Sequence, residues 1–337
     1  MVAGGQYFAP AIVSIHALRQ KGSNLPVEAF LANQDEWEPY LCEEYLPSLN
    51  ARCLVMTDFT DDKVHNTTFE VKHFQFKALA LLFSSFKEVL LIDSDSIPIC
   101  NPEIDLFSST AYRSTGFIGW GDFWIGTESP AFYDIAGLPS FPENLPQASS
   151  ESGQLILDKS RHLKTLLLAV YYNVFGPGYY YQLLSQGAMG EGDKNTFETA
   201  AVVLGTPYFR VPDTPPAVVG RFDKGEFRGS AMIQMKPGQP GKPAFIHANT
   251  PKMNAGQVLD SGDLFEKNTK ERLRLWGPKD GNEKFFGEDV EMRIWKIMVD
   301  TGCQLEDVLR DWKTRDHLCA RLREHYESVF GGLEEIK

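Results

Sequence analysis

No stretch of this sequence stays apolar for the roughly 18–20 residues that a membrane-crossing helix needs. Its opening, Met1-Val2-Ala3-Gly4-Gly5, is too short for a signal peptide. Basic residues are outnumbered: 33 Lys and Arg against 45 Asp and Glu give a net charge of −12. Nucleic acid is therefore not an expected partner, because phosphate backbones are held by clustered Lys and Arg. Anionic small molecules stay open, since a metal can recruit them. Cysteine is sparse. The five (Cys42, Cys53, Cys100, Cys303, Cys319) contain no CxxC pair, so metal-site spacing is absent. An odd count leaves at least one free thiol, with buried thiols and one or two disulfides both open. One glycosylation triplet occurs, Asn66-Thr67-Thr68, and it is too common a pattern to place the chain in a secretory compartment. Internal repeats and a separate linker are also missing.

What remains is a 337-residue chain with 43% hydrophobic residues, enough for a large core in one big domain or two small ones. Val2–Tyr7 has the look of a strand tail and a glycine turn, an abrupt start that suggests an N-terminal truncation. A helix is predicted over Phe8–Lys21, with Pro10 tolerated in its first turn and Ile12, Ile15 and Leu18 at three-residue spacing. Leu25–Leu31 and Arg52–Met56 are predicted strands, with a helix at Asp35–Tyr45 between them. Phe69–Ser85 is a strongly apolar helix. Strands alternating with helices predict a doubly wound sheet.

The run Phe86–Pro102 organises the chain. Val89–Ile92 predicts a short strand buried on both faces, ending at Asp93-Ser94-Asp95. Ligands of open α/β sheets bind beyond the carboxyl ends of strands. Two carboxylates two residues apart can converge there on one hard cation, which in turn would hold a diphosphate. The alternative is a strand-end turn in which both Asp side chains cap backbone amides. Lys77, on the preceding helix, is either a snorkelling flank or an anion ligand aimed at the strand ends.

Further on, Gly116–Trp120 predicts a strand, and Trp120 or Trp124 is a candidate platform for the apolar face of a sugar, though buried tryptophan is the commoner fate. Glu128–Ser150 reads as a long surface loop, Leu155–Asp158 as a strand and Arg161–Val174 as a helix. Asp193, in Gly192-Asp193-Lys194-Asn195-Thr196-Phe197, is placed as a helix N-cap or as a functional carboxylate. Ser230–Met235 and Ala244–Ile246 are strands, the second ending at His247. Glu288–Val299 and Leu305–Phe330 are amphipathic helices that brace the sheet. The division expected is residues 1–262 as a catalytic domain and 263–337 as a helical C-terminal extension packed on it. Asp93, Asp95 and His247 together offer oxygen ligands plus one imidazole, a set suited to Mn²⁺.

The run Phe76–Asp95, with Glu151-Ser152-Gly153-Gln154 and Gly192–Phe197, resembles the fungal α-1,3-mannosyltransferases of glycosyltransferase family 71 over about residues 2–250. The resemblance implies a GT-A fold: a Rossmann-like mixed, mainly parallel sheet with flanking helices. It implies GDP-mannose as donor, Mn²⁺ or another divalent cation as cofactor, and a mannosylated glycan or glycoprotein as acceptor. It also implies retaining transfer in the Golgi lumen by a type II membrane protein, whose anchor this sequence does not contain. The metal ligands expected are Asp93, Asp95 and His247. Asp193, Glu151 and Gln154 are the expected catalytic residues. Gly4, Tyr7, Lys72, Lys77, Asp93, Ser94, Lys194, Asn249 and Lys252 are expected to hold the donor. Two rivals remain open: a non-catalytic glycosyltransferase-like subunit, and a haloacid-dehalogenase-type phosphatase with Asp93 as nucleophile.

Overall fold

The computed structural model describes residues 1–60, 71–211, 217–223 and 226–332. The triplet at Asn66 and the first residues of the helix predicted from Phe69 lie outside them.

The chain enters on a short parallel ladder. The Met1 amine donates to Glu28 O (2.8 Å), Phe30 N–H to Met1 O (2.9 Å) and Ala3 N–H to Phe30 O (2.8 Å). Helix α1 (Phe8–Gln20) follows, with ten of its thirteen residues buried. Small Ala and Ser side chains between the large apolar ones let it pack on every side instead of along one stripe. Strands β1 (Val27–Leu31) and β2 (Ala51–Val55) pair in parallel. Of the helix predicted over Asp35–Tyr45, the start is a short 3-10 turn (Gln34–Glu36), while residues 39–48 are helical, wound as a π-helix over Leu41–Tyr45, and the Cys42–Cys53 disulfide ties this helix to β2.

Helix α2 (Gln75–Phe83) feeds β3 (Glu88–Ile92), whose Val89, Leu91 and Ile92 are buried. β3 belongs to a four-stranded sheet ordered β3-β6-β5-β7, formed with β5 (Phe117–Ile125), β6 (Ala148–Asp158) and β7 (Phe209–Arg210). Directly after Asp95 the chain crosses into a second sheet. There β4 (Ser96–Pro98) lies beside β10 (Gln239–Thr250), then β9 (Glu226–Lys236) and β8 (Ala217–Asp223). Asp93-Ser94-Asp95 is thus the junction between two sheets.

The architecture is α/β with mixed sheets and flanking helices, as expected. The strand directions differ from the mainly parallel expectation: β3–β6, β5–β6, β4–β10, β9–β10 and β8–β9 are all antiparallel. The reason is connectivity. β5 returns to its neighbour β6 without a crossover helix long enough to reverse it, and β9 turns into β10 through Pro237-Gly238, both of which favour antiparallel pairing. β6 also begins inside the predicted loop 128–150, and that loop holds a short helix, Pro130–Ile135.

Helices α3 (Lys159–Val174) and α4 (Thr196–Leu204) cover the first sheet. At the C-terminal end the two predicted helices are found with shifted bounds, as α5 (Val290–Leu305) and α6 (Leu318–Phe330): the first runs on to Leu305 and the second starts only at Leu318, with His317 in the left-handed region before it and Cys303–Cys319 bridging the two. Ile294, Trp295, Leu318 and Leu322 share one apolar core with Phe8 and Ile12 of α1 and with Ile97, Ile233 and Ile246 of the second sheet. The fifth cysteine, Cys100, is a buried free thiol, pushed up to about 12 by burial.

Candidate active site

Sheet register, rather than sequence proximity, assembles the site. β4 starts at Ser96, and Ser96 pairs with His247 of β10. Ala248 N–H donates to Asp95 O at 2.9 Å. The imidazole is thereby delivered to the carboxylates from 152 positions away: its Nε2 stands 3.3 Å from Asp95 Oδ1. Ligand atoms of Asp93, Asp95 and His247 all lie within 4.8 Å of one another. Two carboxylates and one imidazole at that separation are a donor set that suits a single divalent cation.

Around this trio sit alternating charges. Lys77 lies on α2 with Nζ 2.7 Å from Asp93 Oδ2, 3.6 Å from Asp193 Oδ2 and 3.0 Å from Ser152 Oγ. It is not a snorkelling flank: its side chain is largely buried and reaches the strand end, where it meets carboxylates of the chain itself. Burial alone would lower its pKa, but Asp193 and Asp93 outweigh that and raise it. Lys252 pairs with Asp95 Oδ2 from the far side. Burial disfavours charge on Asp95, yet His247 and Lys252 prevail and hold it well below the ordinary carboxylate range. Asp93 moves the other way, raised chiefly by burial against the pull of Lys77. The His247 ring, buried but flanked by Asp95 and Glu151, is pushed up to about 10.

Glu151 supports the imidazole from behind. Its Oε1 is 3.5 Å from His247 Nδ1 and accepts the Gly153 N–H at 2.5 Å. Burial is again outweighed, and Glu151 is held at about 2 by His247 and Lys77. Asp193 is 2% exposed and pushed up to about 6, mainly by burial. It is not the cap of α4. The helix starts at Thr196, and Asp193 contributes its backbone carbonyl to Thr196 N–H (2.9 Å) and Oγ1 (2.6 Å). The side-chain Oδ2 has no hydrogen-bond partner, so the cap reading does not account for this carboxylate.

The remaining expected residues divide. Ser94 is buried between the two carboxylates. Gln154 is fully buried beneath the junction, where Oε1 accepts from Ser96 Oγ at 3.0 Å and Nε2 has no partner. Asn249 follows Ala248 on β10 with its Oδ1 likewise unpartnered. Lys194 is pinned: its Nζ contacts Asp122 Oδ2 at 2.7 Å and Met189 O at 3.2 Å. Gly4 and Tyr7 form the turn into α1, where Gln6 O accepts from Asn254 Nδ2, two residues past Lys252. Lys72 is exposed at the start of α2, its backbone N–H held by Gln75.

Asp122 and Ser152 were not singled out from the sequence. Asp122 stands two residues after Trp120 on one face of β5, and that alternation was its available signal. Trp120 is a core residue, 0% exposed with its indole N–H on Met235 O at 2.8 Å. Trp124 is 42% exposed and packs edge-on against Phe123.

Residues 1–144 and 138–236 match the family model described as "Mannosyltransferase putative". The chain belongs to this mannosyltransferase family. Alpha-1,2-mannosyltransferase MNN21 of Candida albicans is 34% identical over 96% of the chain. Alpha-1,2-mannosyltransferases MNN5 and MNN2 of Saccharomyces cerevisiae are 34% and 37% identical, each over 69% of the chain. The mannosyltransferase chain spans 60%, 47% and 44% of the lengths of these three relatives. Their names specify α-1,2, so the α-1,3 linkage implied by the sequence resemblance finds no support among them. Mouse xyloside xylosyltransferase 1 aligns over 62% of the chain and 83% of its own at 12% identity and TM-score 0.38. The galactosyltransferase LgtC, in complex with donor and acceptor sugar analogues, aligns over 58% and 67% at 10% identity and TM-score 0.33. Likeness this low adds nothing to the architecture described above.

Proposed function

We propose that this mannosyltransferase-family chain is the catalytic region of a metal-dependent, retaining enzyme of GT-A type that moves mannose from GDP-mannose to a mannosylated glycan. The relatives' names favour an α-1,2 linkage. The observation that carries the reading is the convergence of Asp93, Asp95 and His247 at a sheet junction, ringed by Lys77, Lys252 and a buried Asp193 with a carboxylate oxygen left without a hydrogen bond. Asp93, Asp95 and His247 would hold Mn²⁺ or a similar divalent ion, which supplies Lewis-acid stabilisation of the departing diphosphate when bound.

The chain's own groups have distinct tasks. Glu151 faces the imidazole nitrogen turned away from Asp95 and fixes the ring's orientation, as carboxylates behind metal-bound histidines do. Lys77 screens Asp93 from Asp193, so two acids can share a small buried space. Lys252, with 43% of its side chain exposed, turns from Asp95 to the donor phosphates, adding fixed positive charge where charge develops. Asp193 faces the reacting sugar, where its carboxylate binds a hydroxyl or steadies oxocarbenium charge. Gln154 supports the junction from below, and Asn249 lies on the donor side of β10. Retaining transfer needs no protein base here, because the leaving diphosphate can take the acceptor proton on the same face.

Two disulfides suit an oxidising compartment, which agrees with a Golgi-lumen site of action. Among the described residues no helix is long and apolar enough to cross a membrane. Incubation with GDP-mannose, with and without Mn²⁺, followed by GDP release, tests the reading. Metal-dependent release that rises with an α-mannoside acceptor is expected. Binding of donor without any metal-dependent release would favour a non-catalytic subunit.

A further inference from the structure

Strand β5 ends on three exposed apolar side chains. Phe123, Trp124 and Ile125 are 37%, 42% and 75% exposed. Successive side chains of a strand point to opposite faces, so three exposed in a row mean that both faces are open at this end. Single surface apolar residues need no cause, whereas a contiguous patch marks a binding surface. Phe123 stands edge-on to Trp124, with ring centroids 5.2 Å apart and planes at 63°.

Beside this strand end lies the loop 185–192, tied to it at two places. At one, Thr127 Oγ1 donates to Ser185 O (2.7 Å) and Gln186 Nε2 donates to Thr127 O (2.5 Å). At the other, the buried Lys194 Nζ donates to Asp122 Oδ2 (2.7 Å) and to Met189 O (3.2 Å). Between the ties lie Phe123, Trp124 and Ile125 on one segment and the exposed Met189 on the other. The loop leads directly into Asp193, the buried carboxylate with an oxygen left without a hydrogen bond. Asp122 in turn lies within electrostatic reach of the metal trio: burial raises its pKa, and Glu151, the carboxylate behind His247, raises it further.

Charge narrows the occupant. Residues 122–128 and 185–194 carry four acids (Asp122, Glu128, Glu191 and Asp193) and one base, Lys194, which is already paired. A diphosphate would meet net negative charge here, while Lys77 and Lys252 stand at the metal-ligand carboxylates instead. An uncharged ring with an apolar C–H face and several hydroxyls suits the rim: the face lies on an aromatic plane and the hydroxyls meet carboxylates. Ligand sites commonly pair apolar walls with a few placed polar groups in this way.

We propose that this rim is the acceptor site, where a terminal mannose of the glycan stacks its C–H face on Trp124, braced by Phe123, and reaches past Met189 towards Asp193. The identity of the sugar rests on the mannosyltransferase reading above; the aromatic platform does not.

The full chain, with Mn²⁺ and GDP present, tests it. Binding of an α-linked mannobiose is read by calorimetry and saturation-transfer NMR, and the KM values for mannobiose and GDP-mannose are read from GDP release. Trp124→Ala should weaken mannobiose binding and raise its KM by about tenfold or more, the scale of a lost aromatic contact. The KM for GDP-mannose should stay within about twofold. Trp124→Tyr, which restores a ring, should recover most of the loss. Ile104→Ala removes an equally exposed apolar side chain elsewhere and should change neither value. No mannobiose binding by the parent, or equal binding by the parent and Trp124→Ala, would overturn the proposal. Equal rises in both KM values would do the same, marking a ring that serves the fold. Mannobiose held through Trp124 by a protein that releases no GDP would overturn the transferase reading and leave the platform standing.

Discussion

Gly153 packs against His247 so closely that a β-carbon on it would lie 2.7 Å from the imidazole. The same β-carbon would meet Glu151 Oε1 at 2.8 Å. Glycine at this position is therefore a condition for the imidazole to reach Asp95 while Glu151 stands behind it. Gly153→Ala is expected to fold, to displace the ring, and to weaken Mn²⁺-dependent GDP binding at least tenfold. Calorimetry with and without the metal checks this, and unchanged affinity would show that the ring position does not matter.

Asp95→Asn keeps shape and removes the charge facing both His247 and Lys252. Metal-dependent GDP binding should fall below detection while the melting temperature stays within a few degrees of the parent. Titration calorimetry and a thermal scan on the same preparation separate the two effects. Retained metal-dependent binding would remove Asp95 from the ligand set.

Asp193→Asn isolates another charge. The helix it precedes uses the Asp193 backbone carbonyl and not its side chain, so a capping loss is not in play. The variant should keep donor affinity within a few-fold and lose about a hundredfold in turnover, the scale of an electrostatic contribution of roughly 3 kcal/mol. Steady-state kinetics with GDP-mannose and an α-mannoside acceptor decide it; turnover near the parent's would make Asp193 a structural residue.

His325 is expected to cost stability in acid. It is fully buried, stacked on Trp295 at 4.1 Å between ring centroids, with neither ring nitrogen hydrogen-bonded. Burial, helped by Arg272, lowers its pKa from 6.5 to about 4. The unfolded chain thus binds the proton more readily than the folded one between those values. The stability this residue permits is complete above about pH 6.5 and is lost as pH falls towards 4. A difference of 6.5 − 4 = 2.5 pKa units corresponds to about 3 kcal/mol. His325→Phe should flatten that part of the stability–pH curve. Urea unfolding at pH 7 and pH 4.5 measures it, and an equal acid loss in both proteins would reject the assignment.

The DSD motif was legible in the sequence because its information is local: an apolar run, then two acids. Lys77 and His247 were legible only as candidates, since the Ser96–His247 pairing that unites them is set by two sheets meeting. Strand direction was not legible, because antiparallel and parallel strands share one side-chain alternation. β10 was read as three residues instead of twelve because Gly241 and Pro243 look like breakers; they fall on its more exposed half, where a ladder tolerates them. Lys194 looked like a donor ligand because its partner Asp122 is 72 residues away in sequence. Trp120 lies between two glycines and Trp124 between Phe123 and Ile125, yet it is the glycine-flanked ring that is core and the apolar-flanked one that is rim.

The turn Asp93-Ser94-Asp95 belongs to two sheets at once, Asp93 closing β3 and Asp95 opening β4. The gap between their carboxylates is consequently a gauge of how firmly the two sheets are docked. A cation gripping both acids and His247 would act as a rivet through that seam, and a ligand that binds only the folded form stabilises it in proportion to the logarithm of one plus the ratio of its concentration to its Kd. Heat resistance of the whole molecule should therefore track metal concentration even when no sugar nucleotide is present. Substitutions that loosen the seam far from the carboxylates, such as Ile97→Ala in β4, should lower metal affinity without touching a ligand.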